Sequence, residues 1–238
     1  MAKIAVIDIG TNSIHMVLAE IQPDTGYKIL DRFKDMTRLG NGAFATHRLS
    51  DEAVTRGLEV VRNLVTLAKN KGYDRIIAVA TSAVREVKNG GDFIDLVAKE
   101  TGLKVRVISG TEEARLIFLA VKNSVPMTDQ PTLSVDVGGG SVELMVGNHE
   151  QLIDAKSLKL GAIRLADEFL KRTPPSDGML RSLENTVTVQ LQSALDSFKT
   201  KRFDSLIATS GMAANLAEVI HLRRTNRPLA QILSLIHI

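Results

Sequence analysis

Apolar runs of two kinds alternate along the chain and predict its secondary structure. Short runs bounded by Gly, Asn and Ser are typical of strands, whereas apolar residues three or four positions apart are typical of helices. The first strand run, 4–9, stops at Gly10-Thr11-Asn12-Ser13 and resumes at 14–21, which predicts two strands joined by a tight turn. Further strands are predicted at 27–38, 75–80, 104–108, 132–137, 141–146, 151–160 and 205–208, and helices at 49–71, 91–100, 111–123, 162–171, 176–199 and 211–221.

The order of these elements repeats halfway along the chain, which indicates a duplication. The turn Asp8-Ile9-Gly10-Thr11-Asn12-Ser13 matches Asp136-Val137-Gly138-Gly139-Gly140-Ser141, and residues 75–82 resemble 205–210 at nearly the same spacing. Matched features in one order are typical of duplicated domains. We therefore expect an α/β fold of two related domains with mixed sheets, covering residues 1–125 and 132–238. The turn-rich segment 124–131 would separate them.

The second copy is shorter than a full repeat of the first would be. A full copy beginning near Thr132 would run to roughly residue 260 or beyond, whereas the sequence stops at Ile238. The last six residues, 233–238, are also what a common transposon-end sequencing adapter encodes when it is translated. We therefore expect the second domain to be truncated and its tail to be an artefact. A longer read through the same locus tests this, since a native stop codon there would refute it.

Composition excludes several classes of protein. The net charge of +3 is too small to indicate nucleic-acid binding, and an aromatic content of 4% provides no stacking platform for bases. Without cysteine there is no disulfide framework, no thiolate nucleophile and no Cys-ligated zinc, and the five histidines show no zinc-type spacing. No apolar run reaches the ~18 residues of a membrane span, and no signal segment precedes the first strand. These features favour a cytoplasmic protein.

Both Asp-x-Gly turns have the composition of a phosphate-binding loop. Glycine lets the main chain approach an anion closely, and successive N–H groups of a tight turn form an anion-binding nest. Hydroxyl groups of Thr11, Ser13 and Ser141 add donors. One such turn alone is more typical of an ordinary hairpin, in which Asp and Gly are common. Two turns related by duplication favour a pair that grips one phosphate from both sides.

Acidic residues near the second turn are candidates for metal binding and proton transfer. We expect Glu143 to fold back alongside Asp136, where two carboxylates suit Mg²⁺, although the spacing is equally compatible with a solvated glutamate at a strand edge. Ser109 and Glu112 fit a capping box at the start of a helix. Glu113 is not needed for that cap, and it is therefore a candidate general base for a water molecule.

Two basic candidates lie in the first half. Arg85 follows a buried strand at its carboxyl end, where open α/β sheets place their ligands, and it would suit bidentate phosphate binding. A surface arginine on a short helix fits the sequence equally well. His15 lies in the second predicted strand, where a packed or solvated histidine is a better interpretation than a catalytic one.

Four segments together resemble the exopolyphosphatase and guanosine pentaphosphate phosphatase (Ppx/GppA) family, within the superfamily of actin-like ATPases, sugar kinases and heat-shock ATPases. They are residues 6–17, 81–85, 107–116 and 135–144. The superfamily shares the Asp-x-Gly turns, but not the Ser-Gly-x-Glu-Glu-Ala-Arg sequence found at 109–115. The resemblance spans about residues 3–220. It implies two ribonuclease-H-like domains with the active site between them.

The resemblance also implies a role for each candidate residue. It places the catalytic glutamate at Glu113, the cation-binding carboxylates at Asp136 and Glu143, and a phosphate-side arginine at Arg85. Its phosphate-binding turns comprise Gly10, Thr11, Asn12, Ser13, Gly138, Gly139, Gly140 and Ser141. The implied reaction is Mg²⁺-dependent attack of water on a terminal phosphoanhydride.

Release of orthophosphate from inorganic polyphosphate is the interpretation that the sequence favours. Conversion of guanosine pentaphosphate to the tetraphosphate uses the same phosphate site, and the sequence does not separate the two. A catalytically silent phosphate or nucleotide sensor and an ATP-dependent sugar kinase are further alternatives, against which Glu113 argues. Met212 stands where the family commonly has threonine after Ser-Gly, which removes a hydroxyl. A homodimer is left open.

Overall fold

The computed structural model describes residues 2–22, 26–198, 200 and 202–225. The chain divides into two compact units and passes from the first to the second between Ser109 and Gly110. None of the helices in the described part is long and apolar enough to cross a membrane. The predicted artefact at 233–238 lies outside the described residues.

The first unit is a five-stranded mixed sheet with its larger helices on one face. Its strands and helices are β1 (Ala2–Ile9), β2 (Ile14–Gln22), β3 (Gly26–Asp35), α1 (Ala43–Thr46), α2 (Asp51–Asn70), β4 (Ile76–Ala80), α3 (Ser82–Arg85), α4 (Gly90–Thr101) and β5 (Val105–Val107). The sheet order is β3-β2-β1-β4-β5. The three leading strands pair antiparallel, and β4 and β5 then add in parallel.

Burial of alternate strand residues against α2 and α4 forms the core of the first unit. Ile7 and Ile9 of β1 and Met16 of β2 are fully buried there, together with Val61 of α2 and Phe93 of α4. Because side chains alternate across a strand, these positions lie on one face of the sheet. The apolar face therefore fixes the register of the β1–β2 hairpin and with it the position of the turn that joins the two strands.

The second unit is a four-stranded sheet covered on both faces. It comprises α5 (Gly110–Ser124), β6 (Thr132–Val137), β7 (Val142–Gly147), β8 (Leu152–Leu158), α6 (Ala162–Phe169), α7 (Asp177–Asp196), β9 (Ser205–Thr209) and α8 (Ser210–Thr225). The order is β8-β7-β6-β9, with β9 parallel to β6 and the other pairs antiparallel. Phe118 of α5 packs with Met145 on one face, and Phe198, after α7, packs with Leu144 on the other.

All of the predicted strands and helices are present, with shifts of a few residues at their ends. Strand β3 stops at Asp35 instead of Arg38, where the chain turns through a left-handed conformation (φ 52° at Arg38). The short helices α1 and α3 have no periodic signal, since each is a single turn.

Helix α5 belongs to the second compact unit, whereas the sequence suggested a boundary in the turn-rich segment 124–131. The apolar face of α5 accounts for this, since its residues Ile117, Phe118 and Val121 are buried together with Met145 of β7. The units therefore divide before α5. The two homologous domains with bounds 1–125 and 132–238 stay a prediction.

Candidate active site

The two Asp-x-Gly turns close in the same way. In the first, the Gly10 N–H donates to the Ser13 carbonyl at 3.1 Å; in the second, the Gly138 N–H donates to the Ser141 carbonyl at 3.0 Å. Each turn joins the first two strands of its sheet in chain order, which pair antiparallel. The matching geometry is what a duplication of one strand–turn–strand unit would produce.

Asp136 and Glu143 lie directly opposite each other across β6 and β7. Directly paired residues of an antiparallel ladder point to the same face, with Cβ atoms about 4.5–5.5 Å apart. Asp136 is 5% exposed and Glu143 is 1% exposed. The predicted fold-back is confirmed, and the alternative of a solvated strand-edge glutamate is wrong.

Hydroxyl groups from the neighbouring strands hold both carboxylates. Thr209, the register partner of Asp136 on β9, donates its hydroxyl to Asp136 Oδ1 at 2.7 Å. Ser157, the partner of Glu143 on β8, donates to Glu143 Oε1 at 2.7 Å. Sequence reasoning missed Thr209 and Ser157, because their roles depend on strand register rather than on any local motif.

Glu113 is a third acidic residue close to this pair. It lies in the first turn of α5, one residue before the buried Ala114. Burial raises the pKa of Glu143 to about 8, and the nearby charges of Glu113 and Asp136 add to the rise, while hydrogen bonds from the hydroxyls of Ser141 and Ser157 oppose it. Three acidic groups are thus close enough to interact electrostatically.

The neighbouring Glu112 has a different environment. Its carboxylate accepts from Arg115 Nε at 2.8 Å and from Arg115 Nη2 at 3.1 Å, in an ion pair one turn along the exposed side of α5. The two adjacent glutamates are therefore distinguished: Glu112 pairs with a cation of its own helix, and the charge of Glu113 acts on Glu143.

The Ppx/GppA phosphatase family model matches residues 17–235 of the chain. The chain belongs to the Ppx/GppA phosphatase family. Exopolyphosphatase 1 of Mycobacterium leprae is 29% identical over 218 residues, which are 91% of this chain and 64% of that protein. The chain thus spans less than two thirds of the length of the curated relatives it matches.

Solved structures of Ppx/GppA proteins have the same fold. An exopolyphosphatase from Cytophaga hutchinsonii is 31% identical, with a TM-score of 0.83 over 96% of this chain and 72% of that chain. The Aquifex aeolicus member of the family is 29% identical, with a TM-score of 0.72 over 92% of this chain and 70% of that chain. A PilM–PilN pilus biogenesis complex is 11% identical with a TM-score of 0.55, which shows the actin-like ATPase fold alone.

The family's candidate residues in the first unit have local partners in the structure. Arg85 Nη1 donates to the Ile108 carbonyl at 2.9 Å, and Nη2 lies 3.9 Å from Glu86. The Ser13 hydroxyl and His15 Nε2 are hydrogen-bonded at 2.7 Å. His15 is also the cross-strand partner of Asp8. The histidine therefore contacts the first turn, which its place in a strand pattern did not indicate.

The departure at position 212 lies on the surface. Met212 is 47% exposed in the first turn of α8. The preceding Ser210 has a left-handed backbone (φ 79°), and its hydroxyl donates to the Val137 carbonyl at 2.7 Å. The Ser-Gly part of the motif thus ties the start of α8 to the end of β6, next to the second turn.

Proposed function

We propose that this chain carries the hydrolytic centre of an exopolyphosphatase, which releases orthophosphate from the end of inorganic polyphosphate. Membership of the Ppx/GppA family and the exopolyphosphatase relatives support the class of reaction. The observation that carries the proposal is the pairing of Asp136 with Glu143 beside the glycine turn 138–141, together with a charge on Glu113 close enough to raise the pKa of Glu143. Of these three carboxylates, Glu113 can accept a proton, and Asp136 and Glu143 can hold a cation.

Phosphate binding is assigned to the two turns. Backbone N–H groups and hydroxyls around Gly138–Ser141 donate to phosphate oxygens, and Gly10–Ser13 has the same closed geometry in the first unit. Arg85 is assigned to the phosphate side as well, since a guanidinium offers a planar fork of donors. A polyanion is the substrate that such a set of donors suits.

Asp136 and Glu143 would hold a divalent cation, for which we propose Mg²⁺. Their donor set fits, because both are carboxylates and Mg²⁺ prefers oxygen ligands, takes one or two carboxylates and keeps several waters. Burial raises the pKa of Glu143, the charges of Glu113 and Asp136 add to the rise, and a bound cation would favour the charged form of this carboxyl. When bound, Mg²⁺ supplies positive charge to the phosphoryl group being transferred. No three His, Cys, Asp or Glu side chains within the described ranges are placed to hold a metal ion.

Glu113 is assigned as the general base. It accepts a proton from the attacking water as the water oxygen bonds to the terminal phosphorus, and the bridging P–O bond breaks. The products are orthophosphate and a polyphosphate that is shorter by one unit. The turn donors stabilise the charge that develops on the equatorial oxygens.

Orthophosphate release by the purified protein tests this function directly. Polyphosphate and guanosine pentaphosphate are compared as substrates, each with Mg²⁺ and with EDTA. We expect Mg²⁺-dependent release of orthophosphate, with the larger kcat/KM on polyphosphate. A larger kcat/KM on guanosine pentaphosphate would move the assignment to the other activity named for the family. Tight binding of both compounds without turnover would favour a sensor.

A further inference from the structure

The start of helix α6 is hydrogen-bonded to the carbonyl groups of the second glycine turn. The Ala162 N–H donates to the Gly138 carbonyl at 3.0 Å, and the Ile163 N–H donates to the Gly139 carbonyl at 2.8 Å. The Arg164 side chain completes the set, because its Nε donates to the Gly140 carbonyl at 2.7 Å. N–H groups in the first turn of a helix have no partner within the helix, and here the turn supplies it.

Gly161 allows this close approach. A Cβ atom at position 161 would lie 2.3 Å from the backbone N and C of Gly140 and 2.4 Å from the carbonyl carbon of Gly139. Real Cβ atoms do not come so close to backbone, so any side chain here would push α6 away from the turn. The absence of a side chain at 161 is therefore a requirement of the contact.

The bonded carbonyls determine where the turn's N–H groups point. In a planar trans peptide, the C=O of one residue is antiparallel to the N–H of the next. Because the carbonyls of Gly138, Gly139 and Gly140 are directed toward α6, the N–H groups of the following residues point to the opposite side. Three consecutive glycines have wide conformational freedom, and these bonds select one arrangement of donors in advance.

We propose that Arg164 is a positioning residue of the phosphate-binding turn, acting through the Gly140 carbonyl to orient the Ser141 N–H. The inference rests on the proposed function, since it assumes that this turn binds phosphate. Ser141 also hydrogen-bonds Glu143, so its placement affects the carboxylate pair as well. Arg164 acts here as a hydrogen-bond donor at Nε, and its positive charge is not the property that the turn requires.

The first turn provides a comparison within the same chain. The Thr11 carbonyl accepts from the Gly40 N–H at 2.8 Å, and the Asn12 carbonyl accepts from the Arg38 N–H at 2.8 Å. The equivalent carbonyls are thus held by backbone groups in the first unit. In the second unit, the bond to Gly140 comes from a side chain, which makes it accessible to mutation.

Three substitutions separate the donor at Nε from the charge. In Arg164→Gln the amide nitrogen stands the same number of bonds from Cα as Nε, so the donor is kept without the charge. In Arg164→Lys the charge is kept, but a methylene occupies the Nε position. Arg164→Met removes both. The readout is the Kd for inorganic phosphate with Mg²⁺ present, together with KM and kcat on polyphosphate.

We expect Arg164→Gln to bind inorganic phosphate within about 2-fold of wild type, and Arg164→Lys and Arg164→Met to bind at least about 5-fold more weakly, as for the loss of one hydrogen bond. KM should follow the same order. Gly161→Ala should weaken phosphate binding at least as much as Arg164→Met, because it displaces α6. Far-ultraviolet circular dichroism verifies that each variant is folded.

The opposite order would overturn the inference. Phosphate binding that is retained in Arg164→Lys and lost in Arg164→Gln would mean that Arg164 contacts phosphate through its charge. Equal binding by all variants, or no binding of inorganic phosphate by the wild type, would also contradict it. If the expected order holds without any polyphosphate turnover, the positioning role stands and the proposed hydrolase function fails.

Discussion

Replacing Glu143 by glutamine should stabilise the chain increasingly as the pH rises, when no divalent cation is present. The pKa of Glu143 is raised from 4.5 to about 8, chiefly by burial and then by the charge of Glu113. The folded chain therefore keeps a proton on Glu143 at pH values where the unfolded chain has released it. The stability due to this proton is fully present below about pH 4.5 and is lost as the pH rises through about 8.

The size of the effect follows from the width of that interval. Each pH unit between the two pKa values changes the free energy of unfolding by about 1.4 kcal/mol. Between about pH 5 and pH 8, the wild type should lose roughly 2–4 kcal/mol through this group. Glu143→Gln has no proton to lose and keeps an amide that can accept from the hydroxyl of Ser157.

Urea unfolding in EDTA at several pH values measures the difference between variant and wild type. The advantage of Glu143→Gln should be smallest near pH 5 and grow toward pH 8. Glu184→Gln, which removes an exposed carboxylate from α7 of the same unit, controls for net charge. A stability difference that is the same at every pH would refute the reasoning, because it would mean that Glu143 is charged in the folded chain throughout this range.

Three further perturbations test other parts of the structure. Asp136→Asn should abolish most of the stabilisation that Mg²⁺ gives the wild type, which is about 2.7 kcal/mol at 100 times Kd; equal stabilisation of both in urea titrations would remove Asp136 from the cation site. Gly147→Ala would place Cβ 2.3 Å from Phe118 Cζ and should lower the free energy of unfolding by about 1–3 kcal/mol. Its matched control is Gly178→Ala, whose nearest neighbour is 3.9 Å away and which should be neutral or slightly stabilising in the same titration. Asn89→Asp should lower the free energy of unfolding by about 1–3 kcal/mol, because the side-chain nitrogen of Asn89 donates to the buried Leu49 carbonyl at 3.0 Å. A thermal unfolding curve that matches wild type would contradict this.

The parts of the site that lie within one local segment could be predicted from the sequence. The run from Asp136 to Glu143 contains a strand, a glycine turn and a returning strand, so the pairing of its two acidic residues follows from hairpin geometry alone. The separation of Glu112 from Glu113 follows equally from helix geometry, since adjacent residues of a helix point in different directions.

The parts that depend on distant segments could not be predicted. Thr209 and Ser157 contact the carboxylates because β9 and β8 pair with β6 and β7 in one particular register. The apolar face of α5 is visible as a pattern, but the sheet that it covers is determined by tertiary packing. Arg164 reaches Gly140 across a separation of 24 residues, and no spacing rule relates a helix start to a turn so far away.

Turnover of polyphosphate by Glu113→Gln, compared with Glu112→Gln, decides whether Glu113 is the general base. The two substitutions remove one carboxylate each from adjacent positions of α5, and both are assayed for kcat and for the Kd of inorganic phosphate. We expect Glu112→Gln to stay within about 2-fold of wild type, since its carboxylate forms an ion pair with the exposed Arg115. The assignment of Glu113 as the general base predicts that Glu113→Gln lowers kcat by about 10²–10⁴-fold with little change in phosphate binding. A Glu113→Gln protein that turns over polyphosphate at the wild-type rate would contradict it.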